Sequence, residues 1–104
     1  MKLLNAFSLN MLAEHPSTVR VEEITAEMAA DLLKDACASC VGHANTAAVF
    51  SSILGLPVEE NRHTISLSVG DKAVVGQYRG PRLEEGATEL PEGATIQWLL
   101  LEVK

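Results

Sequence analysis

Several features are scarce in this 104-residue chain, and each scarcity excludes a class of protein. Lysine and arginine total 8 against 14 acidic residues, a net charge of −6, so the chain lacks the long-range positive field of a general nucleic-acid-binding protein. No apolar run approaches the ~20 residues of a membrane span. The first residues turn polar too soon for a signal peptide. We therefore expect a cytoplasmic protein that contacts neither membranes nor long nucleic acids.

Cysteine is also scarce, with Cys37 and Cys40 as the two thiols. With His43 they form the pattern Cys-x-x-Cys-x-x-His, to which His63 could add a fourth metal ligand. Structural zinc normally uses two separated ligand pairs, and the chain supplies only one. We therefore interpret the cysteines as reduced, buried thiols, and we expect neither a metal nor a cofactor.

The chain is rich in apolar residues, at 47%, which is enough for one core, so residues 1–104 are expected to form a single domain. Alternating patterns predict strands at 2–4, 17–24, 62–69, 72–78 and 96–103. Gly70-Asp71 is a hairpin signal between the third and fourth of these strands. With two predicted helices, the order indicates an α/β fold with a mixed sheet of about five strands flanked by helices.

The first predicted helix runs from a Thr25 cap to about residue 38, with its apolar face given by Met28, Leu32, and Leu33 or Ala36. The second, residues 46–54 with Asn45 as its cap, is apolar nearly all round and should be buried. Its end is predicted at Gly55. We interpret Trp98, in the last strand, as a core or interface residue.

Gly42 and His43 stand directly before this second helix. An imidazole beside the unpaired N–H groups of a helix N-terminus can hold a phosphate and deliver a proton to it. A capping or hydrogen-bonded surface histidine is the alternative. Asn5 and Ser8 follow the first strand, where they could contact a ligand or cap a short turn.

Residues 80–93 contain three glycines, two prolines and many charges, so they should form an exposed, mobile loop. A loop of this length in a small domain is more often functional than idle.

Three separated stretches resemble one protein family. They are residues 4–12, Gly42-His43-x-x-Thr46, and residues 82–86, and they occur in the same order and at similar spacing. The chain is similar to the viral ring nucleases, which are type III anti-CRISPR proteins, and to their bacterial chromosomal relatives. The resemblance covers essentially the full chain. It implies a two-fold homodimer that binds cyclic tetra-adenylate and cleaves it without a metal.

The resemblance also implies roles for individual residues. His43 matches the catalytic histidine, while Arg82 and Glu85 match a loop arginine and acid that close on the ligand. The positions that match ligand contacts are Asn5, Ser8, Gln77 and, beside the histidine, Gly42. Arg79, in an insertion before Arg82, is a further phosphate contact or a solubilising charge, and the insertion leaves Glu84 as the alternative acid.

The implied reaction is attack of a ribose 2′-hydroxyl on the adjacent phosphate, with His43 protonating the departing 5′-oxygen and Arg82 neutralising charge. The expected products are di-adenylates, and their formation would switch off type III CRISPR signalling. Two alternatives stay open: a module that sequesters a cyclic oligoadenylate without cleaving it, and a structural α/β protein whose Gly-His pair only caps a helix.

Overall fold

The computed structural model describes residues 1–35, 37–62 and 65–104. In this part of the chain, five strands form one sheet, and they are β1 (Lys2–Leu4), β2 (Val19–Ile24), β3 (Ala38–Cys40), β4 (Lys72–Arg79) and β5 (Thr95–Val103). Two α-helices, α1 (Ala26–Leu33) and α2 (Ala44–Leu54), and a short 3-10 helix (Leu9–Met11) complete the domain. The predicted single α/β domain with a mixed five-stranded sheet is confirmed.

The strands lie in the order β2-β5-β4-β1-β3. β1 pairs in parallel with β3 and β4, while β5 runs antiparallel to both β4 and β2. β1 to β4 therefore all run in one direction, and their carboxyl ends meet at one edge of the sheet. We call this the carboxyl edge. Ligands commonly bind at this edge in open α/β sheets.

Both α-helices cover one face of the sheet. Successive strand residues point to opposite faces, so Leu3 and Val74 pack with Phe50 of α2 in the helix-side core. Their neighbours Leu4 and Val75 belong to a second core on the opposite face. Connecting segments cover that second face, through side chains that include Leu12, Ile65 and Leu67.

α1 begins as predicted, because the Thr25 hydroxyl accepts a hydrogen bond from the backbone N–H of Met28 at 3.1 Å. The predicted end of this helix is wrong, and its predicted apolar face is right only at Leu33. It ends at Leu33 and not near residue 38, and Met28 and Leu32 are 49% and 38% exposed, while Ala29 and Leu33 are buried. Ala36 lies outside the described residues. In the part of the chain that the structure describes, neither α-helix has the length and apolar character that a membrane span requires.

Strand β3 begins at Ala38, where the first helix was predicted to end. It is only three residues long and pairs with β1, Ala38 opposite Lys2 and Cys40 opposite Leu4. Such a short run of small residues carries no periodic signal, so its strand conformation depends on the parallel partner.

The predicted strand at 62–69 is wrong over its described residues. Ile65 and Leu67 are buried there, but Leu67 forms only an isolated bridge with Leu12. Gly70-Asp71 does form a turn, in which Asp71 Oδ2 accepts from the N–H of Ser68 at 2.8 Å. The turn does not close a hairpin, since β4 pairs with β1 and β5.

Candidate functional site

Several of the predicted site residues meet at the carboxyl edge. Asn5 directly follows β1, and Gly42 and His43 lie between β3 and α2. The Asn5 side-chain oxygen accepts a hydrogen bond from the backbone N–H of Gly42 at 3.4 Å. This contact joins the ends of two neighbouring strands beside the helix N-terminus.

His43 is the N-cap residue of α2, a position that was predicted for Asn45. Its carbonyl accepts the N–H of Ala47 at 3.0 Å, but its imidazole makes no capping hydrogen bond. The first turn of α2 holds no acidic residue, so the positive end of the helix dipole is not neutralised there. The exposed imidazole therefore stands beside a helix end that favours an anion.

A cavity of about 500 Å³ opens in front of this helix end. The first turn of α2 supplies His43, Asn45 and Thr46, and the segment after β4 supplies Arg82. Residues that carry an imidazole and a guanidinium therefore line one cavity. Together they offer a proton-carrying group and a fixed positive charge to one ligand.

Tyr78 is a lining residue that the sequence analysis missed. It lies in β4 on the same face as Gly76, which contacts the ring of Phe50 under the helices. Its hydroxyl donates a hydrogen bond to the carbonyl of Pro81 at 2.5 Å. Alternation along β4 could have indicated it, since Val74, Gly76 and Tyr78 share the helix side of the sheet.

Gln77 and Arg79 are not brought to this cavity. They alternate with Tyr78 and therefore lie on the opposite face of the sheet, where Gln77 is exposed. Arg79 lines a separate cavity of about 300 Å³ with Glu23 and Gln97. The predicted ligand residues thus divide between the two faces of the carboxyl edge.

The two candidate loop acids lie next to the His43 cavity and not in it. Glu84 and Glu85 both line an adjoining cavity of about 550 Å³, which shares Asn45 and Arg82 with the first. Ser8 lines neither cavity, and its hydroxyl caps the 3-10 helix by accepting from the N–H of Asn10 at 3.2 Å.

A second arginine lies near the helix N-terminus. A Cβ at Gly42 would stand 3.6 Å from Cγ of Arg62 and 3.9 Å from its Nε. Arg62 was not identified in the sequence, where it read as the start of a strand. Arg62 and Arg82 provide local positive charge in a chain whose net charge is −6.

The two cysteines lie on opposite faces of the sheet. Cys37 packs against the helix-side core and Cys40 belongs to the second core, so they do not form a ligand pair. Burial raises the pKa of both thiols, and neither cysteine forms a disulfide. His63, the suggested fourth ligand, lies outside the described residues.

Fold and site together define a small α/β protein with a polar cavity at the carboxyl edge of its sheet. The chain belongs to the STIV B116-like family, whose model matches residues 1–97. A similar solved structure is B116 of Sulfolobus turreted icosahedral virus, which is 26% identical. The match covers 97% of each chain, with a TM-score of 0.83. No curated protein sequence matches the chain.

Proposed function

We propose that this protein is a metal-independent ring nuclease that cleaves cyclic tetra-adenylate to di-adenylates. The observation that carries the proposal is that His43 and Arg82 line the same cavity in front of the N-terminus of α2. The sequence resemblance supplies the substrate class. Membership of a family named after a viral protein is consistent with a role in switching off type III CRISPR signalling.

The reaction divides between the substrate and the protein. The substrate's ribose 2′-oxygen forms a bond to the adjacent phosphorus and releases its proton to solvent, while the bond from phosphorus to the 5′-oxygen breaks. His43 gives its proton to the departing 5′-oxygen. The products carry a 2′,3′-cyclic phosphate and a 5′-hydroxyl.

Arg82 and the helix end serve the charge that develops on the phosphate. A guanidinium can donate two parallel hydrogen bonds to phosphate oxygens, and the N–H groups of the first turn of α2 add further donors. Groups fixed before the reaction stabilise the transition state without being reorganised at that moment. Arg62, beside Gly42, adds attraction for the rest of the anionic ring.

The deciding assay is incubation of the purified protein with cyclic tetra-adenylate in EDTA, followed by chromatography of the products. We expect di-adenylates. Loss of cleavage in EDTA would instead require a metal. Tight binding of an intact ligand would indicate a sequestering module, which is the second candidate function. The lack of any described hydrogen-bond partner that orients the imidazole is the observation that keeps this candidate in the test.

Replacing His43 by Ala should abolish turnover while binding of cyclic tetra-adenylate persists, because the proton donor is lost but Arg82 and the helix N–H groups are retained. Single-turnover rates and equilibrium binding separate the two effects. His15→Gln is the matched control, since His15 is exposed and lines none of the cavities described above. Wild-type rates in His43→Ala would remove His43 from the mechanism.

A further inference from the structure

The long segment after β4, residues 80–94, is tied to the domain at two points. Near its start, the Tyr78 hydroxyl donates to the carbonyl of Pro81 at 2.5 Å. Further along, the backbone N–H of Gly86 donates to the side-chain oxygen of Asn45 at 3.1 Å. The first contact fixes the segment to β4, and the second fixes it to the first turn of α2. Residues 82–85 lie between these contacts.

Close packing supports the first tie. A Cβ at Gly80 would stand 2.6 Å from Cβ of Ala94 and 3.1 Å from the Tyr78 hydroxyl oxygen. The two ends of the segment therefore touch, and the tyrosine hydroxyl lies beside Gly80. Turns within the segment, Ala87 N–H to Glu84 carbonyl and Ala94 N–H to Pro91 carbonyl, each at 3.0 Å, shape the remainder.

The charged side chains of this segment that line the two cavities are not held there by ion pairs with other described residues. Among the described residues, the side chains of Arg82, Glu84 and Glu85 make no ion pair. Their position in the His43 cavity or in the adjoining one therefore depends on the backbone of the segment. Whatever fixes that backbone therefore keeps Arg82 within reach of the His43 cavity.

We propose that Tyr78 and Asn45 are positioning residues, which hold residues 82–85 beside the His43 cavity before any ligand is bound. The effect on catalysis rests on the proposed function, whereas the effect on the loop does not. Losing one neutral hydrogen bond should lower the equilibrium constant between the held and the open loop about 2- to 10-fold. The apparent affinity falls in proportion to the held fraction, and so by at most this factor, because only the held fraction is ready to bind.

Amide hydrogen exchange across residues 80–94 tests the holding role without any substrate. Tyr78→Phe and Asn45→Ala should each speed exchange about 2- to 10-fold. Asn45→Asp keeps an acceptor oxygen for the Gly86 N–H and should restore slow exchange. Thr88→Ala is the matched control, because Thr88 is exposed in the same segment and has no described hydrogen-bond partner. Unchanged exchange in both Tyr78→Phe and Asn45→Ala overturns the proposal.

Steady-state kinetics on cyclic tetra-adenylate test the positioning role. Tyr78→Phe should raise KM, by no more than the factor seen in exchange, and leave kcat near wild type, because the bound ligand orders the loop again. Faster exchange with an unchanged KM, or a fall in kcat alone, overturns the positioning role. Faster exchange in the variants with no cleavage by any form, wild type included, supports the holding role and rejects the proposed function alone.

Discussion

The imidazole of His43 is placed by its backbone, not by its own hydrogen bonds. The residue caps α2 through its carbonyl, which accepts from Ala47, and its ring makes no capping contact. A ring held in this way can turn about its side-chain bonds. In a proton transfer, the substrate phosphate and the helix end would therefore select its orientation. This differs from a catalytic triad, in which a third residue orients the base.

Arg82 is the cation whose removal should affect the chemical step. Arg82→Ala should lower kcat about 10²- to 10³-fold, because it removes a positive charge from the cavity in which the proposed reaction would place developing charge on the phosphate. Rapid-quench measurement of di-adenylate formation at saturating ligand reports this step.

Arg20→Ala is the control for that measurement. It makes the same change of charge in β2, where Arg20 forms an exposed ion pair with Glu22 at 3.1 Å. It should leave kcat near the wild-type value. If Arg82→Ala also kept the wild-type kcat, Arg82 would be a solvated loop charge.

At the scale of the elements, Gly76 allows β4 to pass beneath the helices. A Cβ at this position would stand 2.6 Å from Cζ of Phe50 and 2.7 Å from Cζ3 of Trp98, two rings that pack at 5.0 Å between centroids. Neither ring can move far, since Phe50 is fully buried and Trp98 is 5% exposed.

Gly76→Ala should therefore destabilise the protein by about 1–3 kcal/mol through overpacking. For a domain of this size, that corresponds to a fall in Tm of at least about 4 °C. Gly42→Ala is the comparison, because its Cβ would meet Arg62 at an ordinary 3.6 Å, and its Tm should stay near wild type. Equal Tm values for the two variants would contradict the packing argument.

The sequence predicted most elements and failed where tertiary contacts decide the structure. α2 was predictable because an apolar helix must be buried, and β4 and β5 because their patterns persist over many residues. β3 depends on its pairing with β1. The alternation at Ile65 and Leu67 reflects burial of these side chains, without the hydrogen-bonded pairing that defines a strand. The family resemblance pointed to both His43 and Arg82 as site residues. The hydroxyl contact of Tyr78 could be found only once the strand register was known.

A charged cluster lies where the start of β4 meets the end of β5. It makes the stability of the folded protein depend on pH. Glu102 lies 3.3 Å from Lys104 Nζ and 3.4 Å from Lys72 Nζ. Hydrogen bonds from Lys104 and then Lys72 lower the pKa of Glu102 below its ordinary 4.5. The folded protein thus binds this proton less tightly than the unfolded chain does.

The stabilisation from Glu102 is therefore present above pH 4.5 and is lost as the pH falls through the lowered pKa. Glu102→Gln should be less stable than wild type at neutral pH, and the difference should shrink in acid and in high salt. Thermal unfolding across pH measures this. Glu92→Gln, at an exposed residue with no described ion pair, should show no such convergence. A Glu102→Gln difference that is constant with pH would contradict the assignment.

At the scale of the whole molecule, the predicted ligand residues suit a site made by two chains. His43 and Arg82 line a cavity on the helix side of the carboxyl edge, while Gln77 and Arg79 lie on the other side. A ring of four nucleotides would extend beyond a cavity of about 500 Å³, which is the size that holds one drug-sized molecule. A two-fold ligand could instead meet the same residues twice across an isologous interface.

We therefore predict a homodimer in solution that binds one ring per two chains. Light scattering coupled to size exclusion should give twice the 11.1 kDa mass of the chain. Calorimetric titration of His43→Ala, which should bind without cleaving, should give a stoichiometry of one cyclic tetra-adenylate per dimer. A monomeric mass, or one ring per chain, would contradict the shared site. Each protomer would then have to hold the ligand with the cavity residues of one face alone.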